Sequence, residues 1–432
     1  MFSRAGTAVR ESVRRVCFRL VRTDGAPGQW RSLGLAVAAS VPGLVVHFFG
    51  LHVPVEIETV FFGAAIMGAA FLLSWAAEVA QLDISETLAI AILAIIAVLP
   101  EYAVDLFFAF RAGQYQSTGE GDPNAVHLAV ANMTGANRLL IGIGWATVVL
   151  VFWWKSRKKE VTLRPVQRTD VGYLLVASLW AVFMPLRGQI GYLDLAVLGG
   201  LFVAYIFRAA KEEVEEPDLV GVAASLGGLP PVRRRVVTLL MFLFSAAAIL
   251  TMAEPFSHGL VQIGEKFGIS EFLLIQWVAP LASEAPEMII AILFVVRLKA
   301  QAGLGTLISS KVNQWTLLVG TLPLVFSLGA GGLHGLPLDA EQQEEIFLTA
   351  AQSLFAVAVI ANLSISRLEA VGLLVLFLGQ FLIPVTAVRL GFAAAYAALF
   401  LGMLVFRREV RRGLWDAVLH VVGREIEAER SG

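Results

Sequence analysis

The sequence predicts an all-helical, polytopic membrane protein with about twelve transmembrane helices in two inverted-topology repeats. Three observations support this fold class. The 432 residues are 57% hydrophobic and 16% charged, with a mean hydropathy of +0.75, whereas soluble domains carry about 25% charged residues. Apolar runs of roughly 18 residues or more recur from Leu33 to Phe406, and each could cross a bilayer. Two parts of the chain also resemble each other.

The predicted spans follow one another in chain order, and each is an apolar run bounded by polar or basic residues. A helix needs about 20 apolar residues to cross a hydrocarbon core of about 30 Å. By this criterion the spans are 33–53, 58–80, 85–111, 126–153, 170–186, 191–208, 236–254, 269–297, 303–330, 343–362, 367–385 and 388–406.

Basic residues predict the orientation of these spans, because cytosolic loops are enriched in Lys and Arg. The segments "KSRKKEVTLRPVQR", "PPVRRR", "RLK" and "RREVRR" fall on one side of the predicted topology, together with the basic N-terminal tail. The acidic loop "STGEGDP" falls on the other side. We therefore expect an integral, multi-pass protein of the plasma membrane with both termini in the cytosol.

One long polar linker, at 211–235, divides the chain near its middle. It separates a first transmembrane half, 33–210, from a second, 236–406. A basic cytosolic N-tail covers 1–32, and a cytosolic C-tail covers 407–432. Each tail is either a basic amphipathic segment that lies on an anionic membrane face or a solvated tail.

The two halves contain similar segments in the same order. "ISETLAIAILAIIAVLPE" at 84–101 aligns with "ISEFLLIQWVAPLASEAPE" at 269–287 with one gap, and "ANMTGANRLLIG" at 131–142 aligns with "SSKVNQWTLLVG" at 309–320. Short apolar matches also arise by chance, but the shared order and spacing favour a duplication. Corresponding spans differ by an odd number, so the repeats, about 58–210 and 236–385, face opposite ways. This arrangement is typical of secondary transporters, whose site lies near the midplane.

Each repeat places a glutamate directly after a proline inside a predicted span: Glu101 after Pro100, and Glu287 after Pro286. A charge at mid-span costs roughly 2.5–3.5 kcal/mol on insertion scales, so it is rarely there without a function. Proline removes a backbone hydrogen bond and opens the helix. Carboxylate and carbonyl oxygens together suit a hard cation such as Ca²⁺ or Na⁺. We expect Glu101 and Glu287 to meet in one cation site.

Further polar residues share the predicted helix faces with these acids. Ser283 and Glu284 lie four and three residues before Glu287, on the same face. Gly135 allows close helix approach. The remaining candidates are the ligand Asn132, its counterpart Ser310, and the secondary polar residues Asn137 and Asn313. The alternative is that this polar cluster makes interhelical hydrogen bonds without contacting a ligand.

Three further charges inside spans need an explanation. Asp105, four residues after Glu101, is either a second acid of the site or a residue that pairs elsewhere or faces solvent at a span end. Arg138 and Lys311 each need an acid partner or a route to the membrane edge. Lys311 is either a tethered substitute for a bound cation or part of a fixed salt bridge with Glu284 or Glu287.

The chain lacks the motifs of several other function classes. It contains no P-loop, dinucleotide fingerprint, nucleophile elbow or HExxH, so we predict neither an enzyme nor an ATP-driven pump, and no cofactor. Its net charge of −1 gives no indication of a nucleic-acid partner. The single cysteine, Cys17, excludes an internal disulfide. The expected partners are inorganic cations and the lipid bilayer, and no particular oligomeric state is indicated.

These motifs resemble the sodium/calcium exchanger fold of the Ca²⁺/cation antiporter superfamily over roughly 58–385. "IAVLPE" and "ASEAPE" correspond to the family's first motif, and "ANMTGAN" and, less well, "SSKVNQW" to its second. The resemblance implies that Glu101 and Glu287 are the main cation ligands, flanked by Asn132 and Ser310.

The chain also departs from the family pattern. Ala97 and Val98 replace hydroxyl residues before the first Pro-Glu, Glu284 replaces a serine, and Lys311 adds a positive charge. Fewer neutral oxygens and an internal cation favour one metal ion exchanged against protons over several Na⁺. We therefore predict a secondary active antiporter that exchanges Na⁺ or Ca²⁺ against protons, or against Na⁺, by alternating access. The alternatives are a non-transporting membrane receptor or scaffold on the same fold, and a channel or organic-ion carrier.

Overall fold

The computed structural model describes residues 27–83, 99–210, 219–382 and 385–422, and nearly all of them are helical. The helices are α1 Pro27–Phe49, α2 Val55–Ala80, α3 Leu99–Thr118, α4 Ala125–Leu139, α5 Ala146–Ser156, α6 Arg168–Ala181, α7 Phe183–Arg187, α8 Tyr192–Ala209, α9 Val222–Gly227, α10 Pro231–Phe267, α11 Glu271–Val296, α12 Ala300–Asn313, α13 Val319–Ala330, α14 Ala340–Ile360, α15 Arg367–Leu382, α16 Thr386–Phe406 and α17 Arg408–Val421. The strands are β1 Glu160–Thr162, β2 Gln189–Ile190, β3 Leu336–Pro337 and β4 Ser364–Ser366, which form the antiparallel pairs β1–β4 and β2–β3. Most of the predicted N-tail, and Ala97 with Val98, lie outside the described residues.

Ten helical stretches in the described ranges are long and apolar enough to cross a membrane. They coincide with ten of the twelve predicted spans, so a polytopic all-helical fold is confirmed. The other two predicted spans, 85–111 and 367–385, fall on α3 and α15, which both adjoin residues outside the described ranges. The total of twelve therefore stays a prediction.

Helix α10 is much longer than the span predicted at 236–254, because it continues through Pro255 to Phe267. The extension packs on α2 at close range: a Cβ on Gly259 would lie 2.0 Å from the Thr59 hydroxyl oxygen. The helix ends at Gly268, which adopts a left-handed conformation with φ +65°. Such a C-terminal glycine is a common helix stop, whereas Pro255 is accommodated inside the helix.

The predicted linker and the predicted C-tail both contain helices. Within the linker 211–235, α9 packs on α2 through Val222 and Leu226, and α10 already begins at Pro231. Within the C-tail, α17 packs on α6. The division into tails, halves and linker remains a proposal.

The helices that carry the candidate residues contact one another both within and between the two halves. Helix α11 packs on α4, which carries the polar residues of the first half, and α3 packs on α13, which follows α12 after its π-helical turn. Each Pro-Glu helix thus contacts the other half. Within the halves, α3 also contacts α4, and α11 contacts α12. Helices α2 and α10 also pack on each other.

Both polar helices continue through a π-helical turn. In the first half, residues Leu140–Trp145 join α4 to α5, and in the second, Gln314–Leu318 join α12 to α13. Both turns carry a fully buried tryptophan, Trp145 and Trp315. Single π-helical turns inside α-helices are frequent at functional sites, and here they directly follow the polar residues of each half.

Candidate cation site

The two predicted principal acids lie close together inside the bundle. Glu101 on α3 is 2% exposed, and Glu287 near the middle of α11 is 8% exposed. Their carboxylates are near enough for direct electrostatic interaction. Each keeps one oxygen, Oε2, without a hydrogen-bond partner among the described residues. Two acids from different halves of the chain thus converge, and each has a free acceptor oxygen.

A hydroxyl from the second half lies beside each of these acids. Ser283 interacts with Glu101, although the helical spacing had placed it on the face of Glu287. Its Oγ is also 3.3 Å from the backbone oxygens of Ala279 and Pro280. Ser310 lies beside Glu287, but its Oγ makes no close hydrogen bond within the described part of the chain. These hydroxyls add neutral oxygens to the carboxylates.

Glu284 is a third buried acid in the same cluster. It interacts electrostatically with Glu101 and Glu287. Its Oε1 accepts a hydrogen bond from the side-chain amide of Gln314, and its Oε2 has no partner among the described residues. Sequence reasoning missed Gln314, which lies four residues after Ser310 and therefore on the same helix face. That spacing was the available signal.

Asp105 pairs with Asn132 in the interior, one turn along α3 from Glu101. The Asn132 amide nitrogen donates to Asp105 Oδ1 at 2.8 Å, and both side chains are buried. The solvent-facing alternative for Asp105 is therefore wrong. Asp105 Oδ2 and Asn132 Oδ1 both remain without partners within the described ranges, so the pair presents two further acceptor oxygens.

Lys311 is held by a neutral residue. Its ammonium donates to Asn137 twice, to the side-chain oxygen at 2.6 Å and to the backbone oxygen at 3.2 Å. It also lies 4.6 Å from the centre of the Trp315 ring. Lys311 interacts with Glu284 electrostatically, but no salt bridge to Glu284 or Glu287 is formed in the described structure. The alternative of a fixed salt bridge is therefore not observed, and Asn137 provides two acceptors to the ammonium instead.

Arg138 has an acid partner, as its position inside a span predicts, but that partner is Glu345 and none of the site acids. Its guanidinium pairs with Glu345 on α14 and lies 5.1 Å from the Trp277 ring. Glu345 also accepts from Gln276 at 3.0 Å and from Arg389 at 2.8 Å. Sequence reasoning missed Glu345, an acid just inside the span predicted at 343–362, because its partners are remote in the chain.

Gly135 provides the close approach that its size predicts. A Cβ at this position would lie 1.9 Å from the backbone oxygen of Gln276, so only glycine allows α4 and α11 to touch here.

The prolines do not open α11 as expected, since the helix is continuous across Pro280 and Pro286. Each proline still lacks an N–H and so leaves the carbonyl four residues earlier without its helical donor. Pro100 lies in the first described turn of α3.

Several buried candidate residues keep side-chain oxygens without hydrogen-bond partners in the described chain. Asn313, at the end of α12, is also buried, and its side-chain oxygen has no partner in the described chain. Within those ranges, no three His, Cys, Asp or Glu side chains are gathered closely enough to hold a metal ion in this conformation. The unpartnered oxygens are those of Glu101, Glu284, Glu287, Asp105, Asn132, Ser310, Asn313 and Gln314.

The sequence matches the family described as sodium/calcium exchanger protein over residues 58–211 and 237–386. These two stretches nearly coincide with the two predicted repeats. A search of curated protein sequences found no significant match.

Solved structures resemble the chain over most of its length. The crystal structure of the H⁺/Ca²⁺ exchanger CAX is 43% identical, covers 92% of this chain and 100% of its own, and gives a TM-score of 0.86. The Ca²⁺/H⁺ antiporter YfkE is 15% identical, covers 87% and 100%, and gives 0.58. A structure of the sodium-calcium exchanger NCX_Mj is 15% identical, covers 77% and 99%, and gives 0.50. The last two similarities concern the fold alone.

Proposed function

Since the chain belongs to the sodium/calcium exchanger family, we propose that it is a secondary active antiporter that exchanges Ca²⁺ against protons. The observation that carries this proposal is the meeting of Glu101 and Glu287, one from each half, in the interior of the bundle. The resemblance to an H⁺/Ca²⁺ exchanger at 43% identity supports Ca²⁺ as the metal ion and H⁺ as the counter-ion. Na⁺ remains the alternative ion on either side of the exchange.

We propose that Glu101 and Glu287 bind either one Ca²⁺ or protons, but not both at once. Hard cations bind carboxylate, carbonyl, amide and hydroxyl oxygens, and Ser283, Ser310 and Asn132 place neutral oxygens beside the two acids or one turn away. Without the metal ion, two buried carboxylates near each other repel, and protonation relieves that repulsion. One Ca²⁺ carries two charges, so two protons replace it without net movement of charge.

Glu284 and Lys311 lie beside Glu101 and Glu287, and their opposite charges can balance each other throughout the transport cycle. Gln314 donates a hydrogen bond to one oxygen of Glu284, and Asn137 accepts hydrogen bonds from the Lys311 ammonium. A buried acid and a buried base that interact without touching cancel each other's charge in the interior. We therefore propose that Lys311 is a permanent counter-charge for Glu284 and takes the place of a further bound cation.

Alternating access would expose this cluster to one side of the membrane at a time. The equivalent contacts of α3 with α4 and of α11 with α12 support two repeats, and the packing of α11 on α4 and of α3 on α13 supports a site shared by both halves. In secondary transporters of this design, one bundle rocks or slides against the other around a fixed site. The basic loops, by the charge rule for cytosolic segments, support cytosolic termini.

The test is ion flux in proteoliposomes that contain the purified full-length chain. Vesicles with an acidic lumen and external Ca²⁺ are expected to take up radioactive calcium while the lumen becomes alkaline, with the membrane potential clamped by K⁺ and valinomycin. Equal uptake without a pH gradient would indicate a channel. Uptake driven only by organic cations would indicate an organic-ion carrier, and no gradient-dependent flux would indicate a receptor or scaffold.

A further inference from the structure

Helix α17 is fixed against one end of the helix bundle. It begins at Arg408, two residues after α16 ends at Phe406, so the chain turns at once where the membrane-spanning helix stops. Its inner face contacts α6 and the end of α14 at very short range. A Cβ on Gly172 would lie 2.5 Å from the Ala417 oxygen, and one on Gly413 would lie 1.9 Å from the Ala361 oxygen.

The outer face of α17 is basic and aromatic. Val410 and Leu414 are buried on the inner face, whereas Arg408 and Arg412 are exposed. Trp415 on the same helix is 64% exposed. Phe406, at the end of the preceding span, is 84% exposed. Exposed aromatic rings beside arginines are the pattern of a helix that lies in the headgroup region of a bilayer.

A second basic segment is attached to the same end of the bundle. Strand β1 pairs with β4, and the Arg367 amide donates to the Lys159 backbone oxygen at 2.8 Å. The guanidinium groups of Arg157 and Arg367 lie 5.9 and 5.1 Å from the centre of the Trp153 ring. This pairing holds the exposed loop that carries Lys158 and Lys159 in place.

Several of these basic side chains are available to a ligand. Arg411 caps the end of α16 by donating to two backbone oxygens at 2.7 Å, and Arg407 pairs with Glu369 at 3.0 Å. Among the described residues, no ion pair engages Lys158, Lys159, Arg408 or Arg412. We call these four residues the basic face.

We propose that the basic face binds the phosphate headgroups of anionic phospholipids in the adjoining leaflet. The occupant is a lipid because the face begins where a spanning helix ends and because Phe406 and Trp415 border it. Opposite charge selects an anionic headgroup over a zwitterionic one, and each Lys or Arg near the surface adds to that preference. This proposal does not depend on the transported ion.

The test measures lipid selectivity of the full-length protein purified in detergent. Phosphatidylglycerol and phosphatidylcholine are added in equal amounts, and native mass spectrometry counts the molecules of each lipid that stay bound. We expect the wild type to bind more phosphatidylglycerol than phosphatidylcholine. In the double variant Arg408→Gln/Arg412→Gln, the ratio of the two bound lipids should fall roughly tenfold. The double variant Arg408→Lys/Arg412→Lys should keep most of it. Lys266→Gln, which removes an exposed charge beside Glu56, should change nothing.

Three results would overturn the proposal. The first is an unchanged preference in the Gln double variant, and the second is an equal loss in Lys266→Gln. The third is displacement of phosphatidylglycerol by inorganic phosphate at similar concentration, which would indicate a site for soluble anions. A Gln variant that fails to fold leaves the Lys variant as the deciding comparison, because loss of preference with charge retained would also contradict it.

Discussion

Lys311 donates a 2.6 Å hydrogen bond to the side-chain oxygen of Asn137, and this contact joins α12 of the second half to α4 of the first. The ammonium is fully buried, with the Trp315 ring 4.6 Å away and Glu284 as its electrostatic partner. In the counter-charge role proposed above, this amine supplies a built-in positive charge beside the candidate cation site.

Replacing Lys311 by Met should remove this charge while keeping most of the side-chain volume. Glu284 would lose its counter-charge, and an additional cation or proton would be needed in each cycle. We expect the Ca²⁺ concentration for half-maximal exchange to change at least about tenfold, which is about 1.4 kcal/mol, and exchange to become sensitive to an imposed voltage. Both are measured in proteoliposomes, with Lys266→Met as the control. Unchanged affinity together with voltage-independent exchange would refute the counter-charge role.

Replacing Gly135 by Ala should destabilise the protein, because the new methyl group would lie 1.9 Å from the Gln276 oxygen. Overpacking of this kind costs about 1–3 kcal/mol, which appears as a lower unfolding temperature in detergent. Gly372→Ala on α15 is the matched control, since nothing lies within 4 Å of its added Cβ. That variant should be as stable as the wild type or slightly more stable. Equal melting of both variants would contradict the close contact.

Glu345 and Glu341 offer a matched pair, because both contact Arg389. Glu345 is 1% exposed and also pairs with Arg138, whereas the Glu341 side chain is 43% exposed. Removing one partner of a buried ion pair costs about 3–5 kcal/mol, and removing an exposed one costs about 1 kcal/mol or less. Thermal unfolding should therefore drop far more in Glu345→Gln than in Glu341→Gln. The reverse order would exclude the buried network as a source of stability.

Asp83 joins the end of α2 to the start of α10. Arg234 donates to it at 2.7 and 2.8 Å, and Arg235 at 2.9 Å. The hydrogen bonds from Arg234, followed by those from Arg235, lower the pKa of the Asp83 carboxyl from 3.8 to about 2, against the opposing effect of burial. A carboxyl with a depressed pKa stabilises the fold above its unfolded pKa and ceases to do so as the pH falls through its folded pKa.

Asp83→Asn should therefore lower the free energy of unfolding by about 1 kcal/mol at pH 7. The difference from the wild type should stay constant down to about pH 5 and shrink between about pH 4 and pH 2. Thermal unfolding in detergent across this range measures it. A difference that grows as the pH falls would contradict the ion-pair origin of the effect.

The sequence was sufficient to predict features that depend on local spacing. Hydropathy predicted ten spans that the structure contains. The mid-span acids Glu101 and Glu287 are buried near each other, and their role as cation ligands stays a proposal. Gly135 was predictable because its size matters wherever two helices touch. The partners of Arg138 and Lys311 were not predictable, because Glu345 is 207 residues away and Asn137 is 174 residues away. Such pairs depend on how helices pack. The course of α10 past Pro255 has the same origin, since packing on α2 favours a helix that local propensity would end.

Exchange by the variants Glu101→Gln and Glu287→Gln tests the paired-acid site most directly. Each change removes one carboxylate and keeps the volume, whereas the control Glu254→Gln alters an acid on α10 that is 52% exposed. In proteoliposomes with a clamped potential, we expect proton-driven Ca²⁺ uptake to fall at least about a hundredfold, which is about 2.7 kcal/mol, in both site variants and to persist in the control. Uptake at wild-type rates in both Glu101→Gln and Glu287→Gln would contradict the account.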